Sequence, residues 1–148
     1  MKWLRAIIRF FFLVKEIVSK EGQLHFQRFR LLQTPWFAVY LHHILLSDLE
    51  KHFHDHPWGF YSFILKGSYQ ERYTTQPSHL AMHWGKYKPG DCVYHPAEDA
   101  HSLTLLTPSV WTLVFVSGRE RIWGYQTKEG WIDFKTYRQR KREGNLPL

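Results

Sequence analysis

The 148-residue sequence is poor in sulfur, with one cysteine, Cys92, and two methionines. A single thiol closes no internal disulfide, and without a Cys-x-x-Cys pair there is neither a thiolate zinc site nor a redox dithiol. A reducing, cytoplasmic setting is therefore the expectation. Long apolar runs are also missing. Residues 1–21 interrupt their apolar positions with Lys2, Arg5, Arg9, Lys15, Glu16 and Lys20, too often for a membrane span. No small-residue cleavage site follows an apolar block, so a signal peptide is not expected either. Recognised nucleic-acid modules, internal repeats and low-complexity linkers are absent from the sequence, which excludes specific nucleic-acid binding as a first reading. The length suits one domain with its own core.

What the chain has in abundance is aromatic and basic. Aromatics make up 18% and hydrophobic residues 44% of it, the composition of a packed protein and not of a disordered one. The formal charge of +7 suits phosphates, acidic small molecules or an anionic surface. Much of that charge is peripheral, at Lys2, Arg5 and Arg9 and again at Arg138, Arg140, Lys141 and Arg142, the pattern of solvated ends.

Three regions follow from periodicity. Leu4, Ile7, Ile8, Phe11, Val14 and Val18 recur at helical spacing, which predicts an amphipathic helix from Trp3 to Val18 within a first region, 1–21, ended by Gly22. Its apolar stripe would pack on the domain or a partner subunit, and Trp3 with the early cations also suits peripheral contact with an anionic membrane. From 22 to 134 the chain reads as β-structure. Leu24–Leu32, Phe37–Leu46, Phe60–Leu65, Ser68–Thr74, Ser102–Leu106 and Val110–Val116 are short, aromatic and β-branched, and turn formers such as Lys66-Gly67 and Pro89-Gly90 separate them. Such strands predict a sandwich or barrel. Residues 135–148 form a basic tail.

Ten histidines concentrate the chemistry. His52, His54 and His56 alternate, and alternation on an extended strand brings side chains to one face. Two imidazoles so placed, His54 and His56, can converge on one metal ion. A third, His101, lies beyond the turn Lys88-Pro89-Gly90-Asp91.

These spacings resemble the two motifs of the cupin superfamily. The first is His-x-His, three or four residues, Glu, six residues, Gly; His54, His56 and Gly67 fit it, whereas Phe60 stands in the glutamate position. The second is met by Gly90, Pro96 and His101 and departed from at Glu98 and Leu105. The string His54-Asp55-His56-Pro57-Trp58, with Ser62 to Glu71, Trp123-Gly124-Tyr125 and Gly130-Trp131-Ile132, is similar to a branch of small bacterial and phage cupin-like proteins. The resemblance implies a mainly β fold, a cupin-type double-stranded β-helix (jelly-roll) barrel. It also implies a divalent transition metal, iron, nickel, zinc, manganese or copper, on His54, His56 and His101. It implies no particular reaction.

With the usual glutamate absent, the site is either a three-histidine one or is completed by Glu71 or His52. Glu71 shares a strand face with Gly67 and Tyr69, which makes Glu71 a candidate base and Tyr69 a candidate phenol, against the plainer readings of a surface ion pair and a packing ring. Tyr94 is a second candidate phenol. His95 falls one position off the inward alternation expected of a strand ending at Tyr94, and Cys92 reads as a small buried hydrophobe. The aromatics Trp58, Phe60, Trp111, Phe115, Trp123 and Trp131 are expected in the core or over its edges.

Three functions are compatible with these residues. The first is a metal-dependent enzyme, an oxygenase or isomerase, on a small-molecule ligand. The second is a non-catalytic binding or interaction module. The third is a metal-independent enzyme like the sugar-nucleotide epimerases, with a histidine base opposite a tyrosine acid. A homodimer is the expected assembly.

Overall fold

The computed structural model describes residues 12–19, 22–48, 51–75 and 81–146. Over these the chain forms strands β1 (Leu13–Val18), β2 (Leu24–Gln33), β3 (Phe37–Ile44), β4 (Phe53–His54), β5 (Phe60–Lys66) and β6 (Tyr69–Thr74). Then follow β7 (Met82–Tyr87), β8 (Cys92–His95), β9 (Ala100–Leu105), β10 (Val110–Ser117), β11 (Gly124–Thr127), β12 (Gly130–Asp133) and a helix, α1 (Phe134–Glu143). Two antiparallel six-stranded sheets result, in the orders β1-β2-β3-β10-β5-β8 and β12-β11-β4-β9-β6-β7.

Period-two burial shows which faces meet. Phe60, Ser62 and Ile64 of β5 are buried, as are Val110, Thr112, Val114 and Val116 of β10, while the residues between them are more exposed. Register carries the same inner face onto β3, because Val114 pairs with Tyr40, Thr112 with His42 and Val110 with Ile44. The inner faces close into two apolar clusters. Ala38, Tyr40, Phe60, Val114 and Val116 form one, and Ile44, Ile64, Tyr69 and Val110 the other. Gly67 turns β5 into β6 at a φ of 77°, and a Cβ there would collide with the Ser109 carbonyl, so the motif glycine answers both conformation and space.

The N-terminal expectation needs correcting. Leu13–Val18 is not helical but the edge strand β1, paired with β2 through Lys15 opposite Arg28 and Ile17 opposite Phe26. Helical spacing of so few apolar residues is outweighed by the unpaired hydrogen-bonding edge that β2 offers. Gly22 does take a positive φ, 80°, in the turn between β1 and β2 and not as a helix terminus. The rest of the expected helix, residues 1–11, lies outside the described residues, and so does any membrane contact it would make. Among the described residues the one helix is C-terminal, and none is long and apolar enough to cross a membrane.

The basic C-terminal stretch is structured. Asp133 caps α1 by accepting from the backbone N–H groups of Lys135 and Thr136, Gly144 closes it in the left-handed conformation, and Arg140, Lys141 and Arg142 complement its C-terminal dipole. Tyr137, 1% exposed, ties the helix to the sheet by stacking on Tyr125 at 3.8 Å between centroids.

Candidate metal centre

The imidazoles meet because β4 is laid beside β9. His54 and His101 are direct antiparallel partners, with ring centroids 4.8 Å apart. His56 lies just past the end of β4, where its N–H donates to the Ala97 carbonyl, and its ring is 4.9 Å from that of His101 and 5.2 Å from that of His54. One ring nitrogen from each of His54, His56 and His101 lies within 4.8 Å of the others. The closest pair, His56 Nε2 and His101 Nε2, are 2.8 Å apart. Adjacent donors held at right angles on one ion, with bonds of about 2.0–2.1 Å, would stand about 2.9 Å apart, so the spacing fits a shared cation.

His101 is also held from behind. Its Nδ1 donates to Oε1 of Glu71, which His95 Nε2 approaches at 3.3 Å. With the proton on Nδ1, the Nε2 lone pair turns toward His56 and His54, the arrangement by which a carboxylate fixes the tautomer of a ligating histidine. Glu71, His95 and His101 form a second, overlapping triad, all three buried. Glu71 Oε2 is buried with no hydrogen-bond partner among the described residues, so this carboxylate is only half satisfied there.

Electrostatics keep the imidazoles neutral. Burial pulls His54, His95 and His101 down to about 4, with the neighbouring imidazoles adding to the effect at His54 and His95, and holds His56 well below its ordinary value. Near neutral pH each therefore presents a lone pair and no charge, as a transition-metal ligand must. Burial raises Glu71 to about 7, against the pull of His95 and His54.

The superposition of folds agrees with this topology. KdgF from Halomonas sp. matches over 74% of this chain and 94% of its own, with a TM-score of 0.53 and 16% identity. Fe(II) HppE matches over 70% of this chain and 54% of its own at a TM-score of 0.55 and 14% identity. The hydroxypropylphosphonic acid epoxidase from S. wedmorenis gives 70%, 55%, 0.51 and 14%. This chain has the cupin fold.

This chain spans about half the length of those epoxidase chains and nearly all of KdgF. No family model matches its sequence, and no curated protein does. At these identities the likeness is one of architecture.

Within the cupin barrel the other candidates fall out clearly. Phe60, in the glutamate position, is an apolar wall whose ring lies 4.7 Å from His56 and 4.8 Å from His95. His52 is not among the clustered groups, and its Nδ1 meets the Tyr137 hydroxyl at 2.9 Å, beside the helix. Tyr69 is a core ring, hydrogen-bonded to Ser62, and burial raises its phenol far above the ordinary value. Glu71 is not a surface ion pair but is fully buried.

Three expectations around β8 reverse together. His95 points inward, 4% exposed, whereas Tyr94 is 51% exposed and Cys92 is exposed. Pairing of Phe60 with His95 and of Phe63 with Cys92 sets this parity, and a one-residue error in assigning the inner face inverts every side chain of the strand. Phe115 and Trp131 likewise keep exposed edges, whereas Phe60 is buried and Trp58 packs against its cluster.

A residue the motif reading passed over turns out to be central. Asp55, between the two motif histidines, faces the opposite way and is 1% exposed. It accepts from the Gly124 N–H at 2.6 Å, from Trp131 Nε1 at 2.7 Å and from Arg121 Nη1. Its own N–H donates to the Gly124 carbonyl. The short strand β4 is thereby locked to β11, which fixes where His54 and His56 point. The signal was available in His-Asp-His, where strand alternation sends the middle residue to the far face.

Two grooves open on the surface. One of about 300 Å³ is lined by Gln70, Arg72, Met82, Trp84 and Lys86, and one of about 550 Å³ by Phe12, Arg30, Leu31, Leu32 and Gln33. Neither is lined by an imidazole. His54 and His56 are the half-buried members of the cluster and so its exposed side.

Proposed function

We propose that this cupin-fold protein holds a divalent transition metal on His54, His56 and His101 and acts as a metal-dependent enzyme on a small molecule. The observation that carries the reading is the convergence of three neutral imidazoles, with two Nε2 atoms 2.8 Å apart. An all-imidazole set suits iron, nickel, copper or zinc better than magnesium or calcium. Such an ion, once bound, supplies a Lewis acid toward a carbonyl or activates water or oxygen.

The chain's own residues prepare the place. Glu71 keeps the proton of His101 on Nδ1, His95 braces the same carboxylate oxygen, and Phe60 excludes water from one side. Asp55 sets the aim of the pair on either side of it. A second reading, a binding module without chemistry, is favoured by Phe60, because an apolar ring stands where a fourth ligand would come from.

Elemental analysis of untagged protein, wild type against His54→Ala and His101→Ala, tests the proposal. Near-stoichiometric metal in the wild type, lost in both variants, is expected. Wild-type protein that stays metal-free after reconstitution would remove the metal-dependent enzyme reading.

A further inference from the structure

The inner face of the barrel carries a guanidinium without a counter-charge among the described residues. Arg28 lies on β2, opposite His42 of β3 in register, and His42 is opposite Thr112 of β10, whose side chain is 2% exposed on the inner face. Arg28 therefore projects to the side on which the cluster of Tyr40 and Phe60 lies. Its guanidinium sits 4.9 Å from the Tyr40 ring centroid, 5.7 Å from Phe26 and 5.8 Å from Trp58, a three-ring aromatic seat.

Its one hydrogen bond among the described residues is to a neutral acceptor. Arg28 Nε donates to His42 Nε2 at 2.9 Å, and burial together with the charges of Arg28 and Lys15 holds His42 well below its ordinary value. Neither terminal nitrogen has a partner among the described residues, and no carboxylate there pairs with it. Lys15, directly across the β1–β2 pair, adds a second cation, and Arg138 is close enough to depress Lys15 further. Partly buried guanidinium groups are ordinarily paired with carboxylates or phosphates, so a preformed but unpaired one marks a place for an anion.

Arg28 and the imidazole cluster are linked through shared aromatic neighbours. Tyr40 and Phe60 belong to one apolar cluster against which Trp58 packs, the Phe60 ring is 4.7 Å from His56, and the charge of Arg28 is felt at His56. With Nε engaged by His42, the free edge of the guanidinium is its pair of terminal nitrogens, a fork that matches the two oxygens of a carboxylate.

We infer that Arg28, seconded by Lys15, receives the carboxylate of a small organic acid whose other end reaches His54, His56 and His101. The ligand class rests on reading those imidazoles as the reactive centre, but the anion seat can be tested without metal.

Metal-free protein is titrated with succinate, followed by tryptophan fluorescence, with 1,4-butanediol as the uncharged control and inorganic phosphate as the competing anion. Saturable succinate binding, absent for the diol and stronger than for phosphate, is expected. Arg28→Gln should weaken it at least tenfold, Arg28→Lys by an intermediate factor because charge survives without the fork, and Lys15→Gln about threefold. Arg28→Gln should carry wild-type metal, so failure of the anion seat and failure of the metal centre appear in different measurements. Should Arg28→Gln not fold, Arg28→Lys and Lys15→Gln decide the matter. Succinate binding unchanged in the folded variants, or no preference over the diol or phosphate, overturns the inference.

Discussion

Asp55 and Glu71 are carboxylates sealed into the same sheet, 1% and 0% exposed, and the fold treats them in opposite ways. Asp55 is saturated, with Oδ1 on the Gly124 N–H and Oδ2 shared by Trp131 and Arg121. Glu71 has one oxygen between two imidazoles and the other without a partner among the described residues. Two buried acids so unlike cannot have the same task. A saturated one fastens backbone, while a half-satisfied one leaves a protonation state that its neighbours can change. The first sets the direction of β4, and the second sets the tautomer of His101.

Acid should separate the two regions most strongly. His54, His95 and His101 sit at about 4 in the folded protein against 6.5 for a free imidazole, so the unfolded chain takes up protons first as pH falls. Their contribution is intact above 6.5 and is lost progressively down to about 4. Glu71, raised to about 7 from 4.5, acts in the opposite sense, its contribution being complete below 4.5 and lost as pH rises through 7. Three groups outweigh one. Urea midpoints of the metal-free protein should therefore fall steeply between pH 6.5 and 4, and a flat profile would mean that the imidazoles are not buried as described.

Next in size is removal of the saturated carboxylate. Asp55→Ala leaves a buried Gly124 N–H, the Trp131 indole and Arg121 without their acceptor. Since Arg121 keeps 29% of its side chain in solvent, the loss should lie near the lower end for a broken buried pair, about 3 kcal/mol. Chemical denaturation measures it, and a loss below about 1 kcal/mol would show that β4 is aimed by something else.

Glu71→Gln should do the reverse. Fold stability should change by no more than about 1 kcal/mol, while metal affinity falls by about 10- to 100-fold, the ordinary cost of losing the carboxylate behind a ligating imidazole. Competition with a chelator reads that affinity. Unchanged metal retention would separate Glu71 from the centre and leave the contrast with Asp55 without functional meaning.

Much of this was legible in the residues alone. The alternation of His54 and His56, the glycine of the β5–β6 turn and the spacing from Gly90 to His101 were enough for a mainly β fold with a histidine cluster, because strand periodicity and turn chemistry are local properties. Which face of a strand looks inward is not local. The inward turn of His95, the exposure of Cys92 and Tyr94, and the change of Leu13–Val18 from helix to edge strand were decided by pairing with β5 and β2, since register depends on a neighbour distant in sequence. The same holds for burial. Asp55 became an anchor, Glu71 a brace and Arg28 a cation unpaired among the described residues only when folding chose their surroundings, because desolvation and partner geometry are properties of the enclosed volume and not of the chain.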